Sequence, residues 1–356
     1  MKDSVNNTFN HFKIHTQYSI CEGAVKIDQL KNYCKKNKIK SLGLSDTYNL
    51  SGALEFSENL SSIGTQPIIG TQIAFKYKNF SGLIPLIAKN YDGYKNIIKL
   101  SSKSYLENSE TNDPQCNLDD LIENNDGIIV LTGSIKCIFG KLFNNGLTNE
   151  IKEILLKLKE KFSDNIYIEI QRHNDLNEKD FEKFNLKISK QLELPIIATN
   201  EVYYLDRDMF EAHDALMCIG EKTYVSDLNR KKLTDQHYLK SSDEMIDLFK
   251  DLPEALENNF SLPFRCSYKP NSSKPILPNI SSSESDANDM LKKESIDGLL
   301  DKCNLIFNIQ KDDIESNEIY LKYKKRLDHE IKIIIEMNYA GYFLIVSDYI
   351  KWAKKK

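Results

Sequence analysis

The chain has 356 residues, of which 40% are hydrophobic and 28% charged, and its formal net charge is -4. That length allows about two domains, or one domain with a further piece, and so small a charge excludes an overall basic footprint for nucleic acid. The amino terminus, MKDSVNNTFNHF, has no apolar signal core and no apolar stretch approaches the about 20 residues needed to cross a bilayer, so no membrane partner and a cytoplasmic location are expected.

From the amino terminus, short β-branched runs alternate with segments of helical period. The runs are Ile39 to Ser45, Pro67 to Phe75, Leu83 to Ala88, Gly127 to Leu131, Asn165 to Ile170 and Pro195 to Thr199. Helices are predicted over Lys26 to Asn37, Asn90 to Leu106, Asn149 to Phe162 and Glu178 to Gln191. In the third of these, Ile151, Ile154, Leu155 and Leu158 fall on one side, as a helix packed on a sheet requires. Runs that are apolar on both faces and joined by helices predict a parallel α/β sheet, and we read an α/β barrel. The Pro, Ser and Asn-rich run from Ser267 to Asp289 predicts a boundary. Beyond it Tyr320, Tyr323, Leu327, Ile331 and Ile334 predict a helix ending near Asn338 and Gly341, and Ile345, Tyr349 and Trp352 predict another. That last helix reaches Lys356 without a cap, from which further chain is expected.

Seven cysteines are scattered without a C-x-x-C pair, which argues against a zinc ribbon or dithiol redox motif and for reduced, buried thiols. Polar clusters close several of the strand-like runs: NHFKIHTQYSICEG, LGLSDTYNLSG, PIIGTQ, IVLTGS, YIEIQRH and PIIATNEVYYL. A parallel barrel gathers its strand C-termini on one face, so a site is expected there.

The phrases HFKIHTQYSICEGA, LGLSDTYNLSGA, QPIIGTQ, LIAKNYDGYKNIIKLSSKSY, PIIATNEVYYL, EAHDALMCIG, HYLKSSDEM, DLPEALENNF and GYFLIVSDYIKWAKK occur in this order. Together they resemble the polymerase and histidinol phosphatase (PHP) domain, in the form that opens the alpha subunits of bacterial DNA polymerase III. The resemblance implies a PHP-type distorted (β/α)7 barrel over residues 9–270, a linker over 271–290 and, over 291–356, a mainly helical segment opening the polymerase palm. The family's glycine-rich stretch and metal-binding aspartates have no counterpart in the sequence, so no catalytic residue is expected in this segment. For a longer protein the resemblance implies DNA-directed DNA synthesis with Mg in the polymerase site. It implies primer-template DNA, dNTP, a proofreading exonuclease subunit and a sliding clamp as partners.

PHP domains that act as enzymes bind a cluster of divalent metals, which activates water and stabilises a phosphoester displacement. Position by position, the resemblance places Lys13 where the first His of H-x-H stands, keeps His15, puts Glu22 for an Asp and keeps Asp46. It puts Thr47 and Leu83 in place of His, Gln72 in place of Glu and Ser134 in place of Cys, and turns the final D-x-H into Glu201 and Tyr203. An ammonium has no lone pair to offer a metal. The remnant His15, Glu22, Asp46 and Glu201, with His11 nearby, is too small a set for a cluster, and no divalent metal is expected in the PHP site. Lys13 is expected to act as counter-charge for Glu22 and Glu201 or Asp46.

Arg172 and His173 follow a strand and are candidate phosphate contacts, against local pairing with carboxylates. His213 and His329 are assigned no catalytic role. Lys351, Lys354, Lys355 and Lys356 suit a helix C-terminus and, secondarily, a phosphate backbone. Three functions follow: a metal-free architectural PHP domain that docks the exonuclease, a metal-dependent phosphoesterase (3′-5′ exonuclease or pyrophosphatase), and a free-standing barrel hydrolase. The ligand losses favour the first.

Overall fold

The computed structural model describes residues 8–107, 113–273, 284–307 and 316–356. It divides into two compact units, Met1–Ser272 and Ser273–Lys356. Among the described residues the first is built on nine strands: β1 (Lys13–Ile14), β2 (Ser41–Thr47), β3 (Gln66–Tyr77), β4 (Phe80–Ala88), β5 (Gln115–Asn117), β6 (Ile128–Leu131), β7 (Ile166–Ile170), β8 (Ile196–Ala198) and β9 (Glu201–Val202). Their order is β8-β7-β6-β4-β3-β2-β1-β9, with β5 beside β3. The two ends of that order, β8 and β9, are separated in the chain by Thr199 and Asn200 alone, so the sheet curls round on itself.

The all-parallel expectation holds for most neighbours and fails at β4, which runs antiparallel to both β3 and β6. The reason is chain length. β3 and β4 are joined by a tight turn with Lys78 in the left-handed region (φ 54), whereas a parallel crossover needs a dozen or more residues. The expected helices form over Ile27–Asn37, Tyr91–Leu106, Thr148–Phe162 and Glu178–Leu192. Ile151, Ile154, Leu155 and Leu158 are buried in the largest core cluster, among β3, β4, β6 and β7 residues. A second cluster joins Ile14, Leu42, Leu44 and Ile69 to Ile27 and Leu30 of the first helix and Phe56 and Leu60 of helix Ala53–Ser61.

One close approach fixes the second of the expected helices. Asn90 caps it by accepting from the Gly93 N–H at 3.0 Å, and a Cβ on Gly93 would lie 1.8 Å from the Gly127 carbonyl oxygen. Only glycine lets the helix meet the chain entering β6 this closely.

The second unit contains helices Glu284–Phe307, Glu318–Glu336 and Ala340–Lys355. Asn338 takes a left-handed conformation (φ 62) and breaks the chain between the last two, whereas Gly341 lies inside the final helix rather than ending its predecessor. Ala287, Leu291, Ala340 and Leu344 form its main core. Of the expected linker, 274–283 lies outside the described residues. Among the described residues no helix is long and apolar enough to cross a membrane.

Candidate functional site

Strands β1, β2, β3 and β9 lie side by side with Lys13 opposite Glu201 and Thr47 opposite Gln72, so the polar residues that close each run are brought together by register. Lys13 and His15 are two apart along one strand direction, which turns both side chains to the same face. The Lys13 ammonium, 1% exposed, lies 3.1 Å from Glu169 Oε1 and 3.4 Å from Glu201 Oε2. Glu201 Oε1 faces His15 Nε2 at 3.1 Å and accepts from Gln72 Nε2 at 2.6 Å. Burial alone would raise the Glu201 carboxyl, but the Lys13 charge and His15 outweigh it and hold it well below the usual carboxylate range. Burial likewise disfavours the Lys13 ammonium, and Glu169 and Glu201 more than restore it, raising its pKa.

Position 72 matters as much as position 13. A glutamate there would set a second carboxylate 2.6 Å from Glu201, an arrangement that needs a cation between them; the Gln72 amide donates instead. His15 is further fixed by Ser19 and Thr47 hydroxyls, each 3.3 Å from Nδ1, and by Tyr203 stacked on its ring at 4.2 Å. Thr47 donates to Glu22 Oε2 at 2.7 Å, and Lys231 lies 3.3 Å from Glu22 Oε1.

Asp46 turns away from this group. Its carboxylate accepts from the Thr16 N–H at 2.6 Å, the Thr16 hydroxyl and the Ser19 hydroxyl at 2.7 Å, and burial raises its pKa despite those bonds. The expected counter-charge role of Lys13 is therefore corrected in its partners. Lys13 serves Glu201, as foreseen, and Glu169, which was not, while Glu22 is served by Lys231 and Asp46 by hydroxyls. Glu22, Gln72, Leu83, Ser134, Glu201 and Tyr203 all line one cleft of about 690 Å³. Ser134 sits 3.6 Å from the Cys137 sulfur, whose thiol burial pushes up to about 11.

Comparison with known proteins matches residues 11–173 to the PHP domain and residues 290–356 to the bacterial DNA polymerase III alpha NTPase domain. DNA polymerase III subunit alpha of Rickettsia conorii is 36% identical over 98% of this chain and 30% of its own length. Those of Caulobacter vibrioides and Haemophilus influenzae are each 33% identical, over 99% and 97% of this chain and 31% and 30% of their own. The chain belongs to the DNA polymerase III alpha-subunit family. It spans about 30% of the length of the relatives it matches.

Within this PHP domain the remaining candidates have other partners. The Arg172 guanidinium is taken up by Glu182, Asp251 and the Leu248 carbonyl, which leaves it no donor for a phosphate. His173 is buried, stacked on His237 at 4.1 Å and 3.0 Å from Asn200 Oδ1. His213 bonds the Glu22 carbonyl at 2.6 Å, and His329 lies exposed on helix Glu318–Glu336.

Sequence reasoning passed over three residues. Glu169 carried a signal, since a single charge inside the apolar run IYIEI must find a partner once the strand is buried. Asp175 and His237 carried none, because they meet His173 only through the fold. Among the described residues, His173, Asp175 and His237 form the one group with ligand atoms close enough to share a metal ion, all within 4.8 Å of one another. It is not the group that the family's ligand pattern picks out.

Proposed function

We propose that this PHP domain is architectural, belonging to a replicative DNA polymerase whose DNA-templated synthesis is carried out elsewhere in the longer protein. The carrying observation is the buried Lys13 ammonium between Glu169 and Glu201, with the Gln72 amide on the same carboxylate. On the family's ligand pattern Lys13 and Gln72 stand where a His and a Glu would bind metal, and together they supply the charge and hydrogen bonds that an ion would otherwise provide. His15, Glu22, Asp46 and Glu201 are the remnants of that cluster, and Thr47, Leu83, Ser134 and Tyr203 complete the lost positions. With no ion to activate water, this wall of the cleft has no phosphoesterase chemistry to perform.

In this reading residues 9–270 form the PHP domain, 271–290 the linker and 291–356 the start of the polymerase palm. The longer protein takes primer-template DNA and dNTP with Mg in its polymerase site and works with the sliding clamp in the cytoplasm. The PHP domain offers the docking surface for the proofreading exonuclease subunit. Elemental analysis with a nuclease assay in added manganese or zinc tests the reading. We expect no exonuclease or pyrophosphatase activity and no multinuclear metal content. Two or more equivalents of metal, with hydrolysis abolished by His15→Ala, would replace it with the phosphoesterase reading.

A further inference from the structure

We propose that His173, Asp175 and His237 hold one divalent transition-metal ion, with zinc as the best chemical match, at a position separate from the Lys13 and Glu201 pair. The argument begins with two nitrogens. His173 Nδ1 and His237 Nε2 are buried and, among the described residues, have no hydrogen-bond partner. Their rings are 1% and 2% exposed.

The opposite edge of each ring fixes which nitrogen carries the proton. His237 Nδ1 lies 3.2 Å from the Glu201 carbonyl, which can only accept, so Nδ1 is protonated and Nε2 keeps its lone pair. His173 Nε2 lies 3.0 Å from Asn200 Oδ1. That oxygen is identified as the acceptor because Lys240 Nζ donates to it at 3.2 Å, while Asn200 Nδ2 donates to the Tyr238 carbonyl at 2.9 Å. The approach of the Glu201 N–H to the same Nε2, at 3.3 Å, is the longer contact. His173 Nδ1 therefore also presents a lone pair. An imidazole whose far N–H is held by a carbonyl or amide oxygen, with its near nitrogen bare, is the usual state of a metal-binding histidine.

Asp175 supplies the anion. Its Oδ2 is 3.8 Å from His237 Nε2, and its Oδ1 is paired with the Lys136 ammonium at 2.7 Å, so one oxygen is spoken for and the other is directed at the histidines. A tetrahedral ion with bonds of about 2.1 Å spaces its ligands by about 3.4 Å, against 3.8 Å between Asp175 Oδ2 and His237 Nε2 and up to 4.8 Å across the group, so the ligands must close in on the ion. The rings now stack within 3° of parallel, and metal bonds lie in ring planes. Loading accordingly tilts the rings apart about the hydrogen bonds at their far edges. Glu178 Oε1 is 3.8 Å from His173 Nδ1, but both its oxygens accept from the His173 N–H, which keeps it a neighbour rather than a ligand. Two neutral imidazoles and one carboxylate suit zinc or cobalt better than calcium or magnesium, which prefer oxygen. Three protein ligands leave a fourth position for water, and His237 lines the cleft from which water would come.

The competing arrangement is a buried water on the two bare nitrogens. Cobalt titration of the full chain, stripped with chelator, separates the two. We expect one equivalent of Co2+ to give the intense visible bands of a tetrahedral site, displaced by Zn2+. His237→Ala and Asp175→Asn should each weaken binding about 100-fold with an unchanged far-ultraviolet circular dichroism spectrum. His15→Ala should leave it intact. Absence of tetrahedral bands at millimolar cobalt, or bands that survive both substitutions, overturns the proposal. Neither result bears on the architectural reading, which falls to two or more equivalents of metal with hydrolysis abolished by His15→Ala.

Discussion

At the scale of the residue, Lys13 decides what this barrel face can do. It is a buried cation between two buried glutamates, and removing one member of such an arrangement costs far more than the arrangement itself is worth. Lys13→Met is expected to destabilise the protein by about 3–5 kcal/mol in urea unfolding at pH 7.5. The deficit should shrink toward pH 5, where the uncompensated glutamates can take up a proton. Adding Glu169→Gln should recover part of the loss at pH 7.5, whereas a deficit unchanged by pH and by the second substitution would show that lost packing dominates. His11 gives a pH dependence of its own. Its Nε2 donates to the Lys240 carbonyl at 2.9 Å, and burial is the main cause lowering its pKa from 6.5 to about 4. The folded state therefore binds this proton later than the unfolded chain does. The stability it contributes is fully present above pH 6.5 and is lost as pH falls toward 4. At pH 5 the loss from this residue is about 2 kcal/mol, and His11→Gln should flatten the unfolding midpoint between pH 7 and 5.

At the scale of the element, strand register and one glycine place the site. Pairing of Lys13 with Glu201 and of Thr47 with Gln72 brings residues almost 190 positions apart onto one face, because β9 pairs directly with β1 at the end of the sheet order. A strand slipped by one residue would turn Lys13 or Gln72 into the opposite layer. Gly93, in the first turn of helix Tyr91–Leu106, lies against the Gly127 backbone. Gly93→Ala would drive a methyl against the Gly127 carbonyl and should cost about 1–3 kcal/mol, read as a lowered melting temperature. A neutral substitution would mean that helix Tyr91–Leu106 can shift without disturbing β6. Such helices were legible beforehand because Ile151, Ile154, Leu155 and Leu158 need no distant partner to announce their period. The reversal at β4 was legible too, had the short span between Phe75 and Leu83 been weighed against the length of a crossover.

At the scale of the whole molecule, the two units differ in how much they bury. The first holds its strands in clusters of fully enclosed Ile, Leu, Val and Phe, while the described core of the second is mainly Ala287, Leu291, Ala340 and Leu344, with Tyr342, Tyr349 and Trp352 exposed. Amide hydrogen exchange is expected to be faster throughout helices Glu284–Phe307, Glu318–Glu336 and Ala340–Lys355 than in β3, β4 and β6. Equal protection in both would show that the units open as one. Composition, period and the order of polar phrases determined the α/β class, the main helices and the family, because those signals are local or follow the chain in sequence. The partnership of Lys13 with Glu169, the exclusion of Asp46 from it and the meeting of His173, Asp175 and His237 were decided by the tertiary structure alone. A side chain's charge is written at its own position, but which opposite charge or bare nitrogen it meets depends on how far the sheet curls and which way each strand runs.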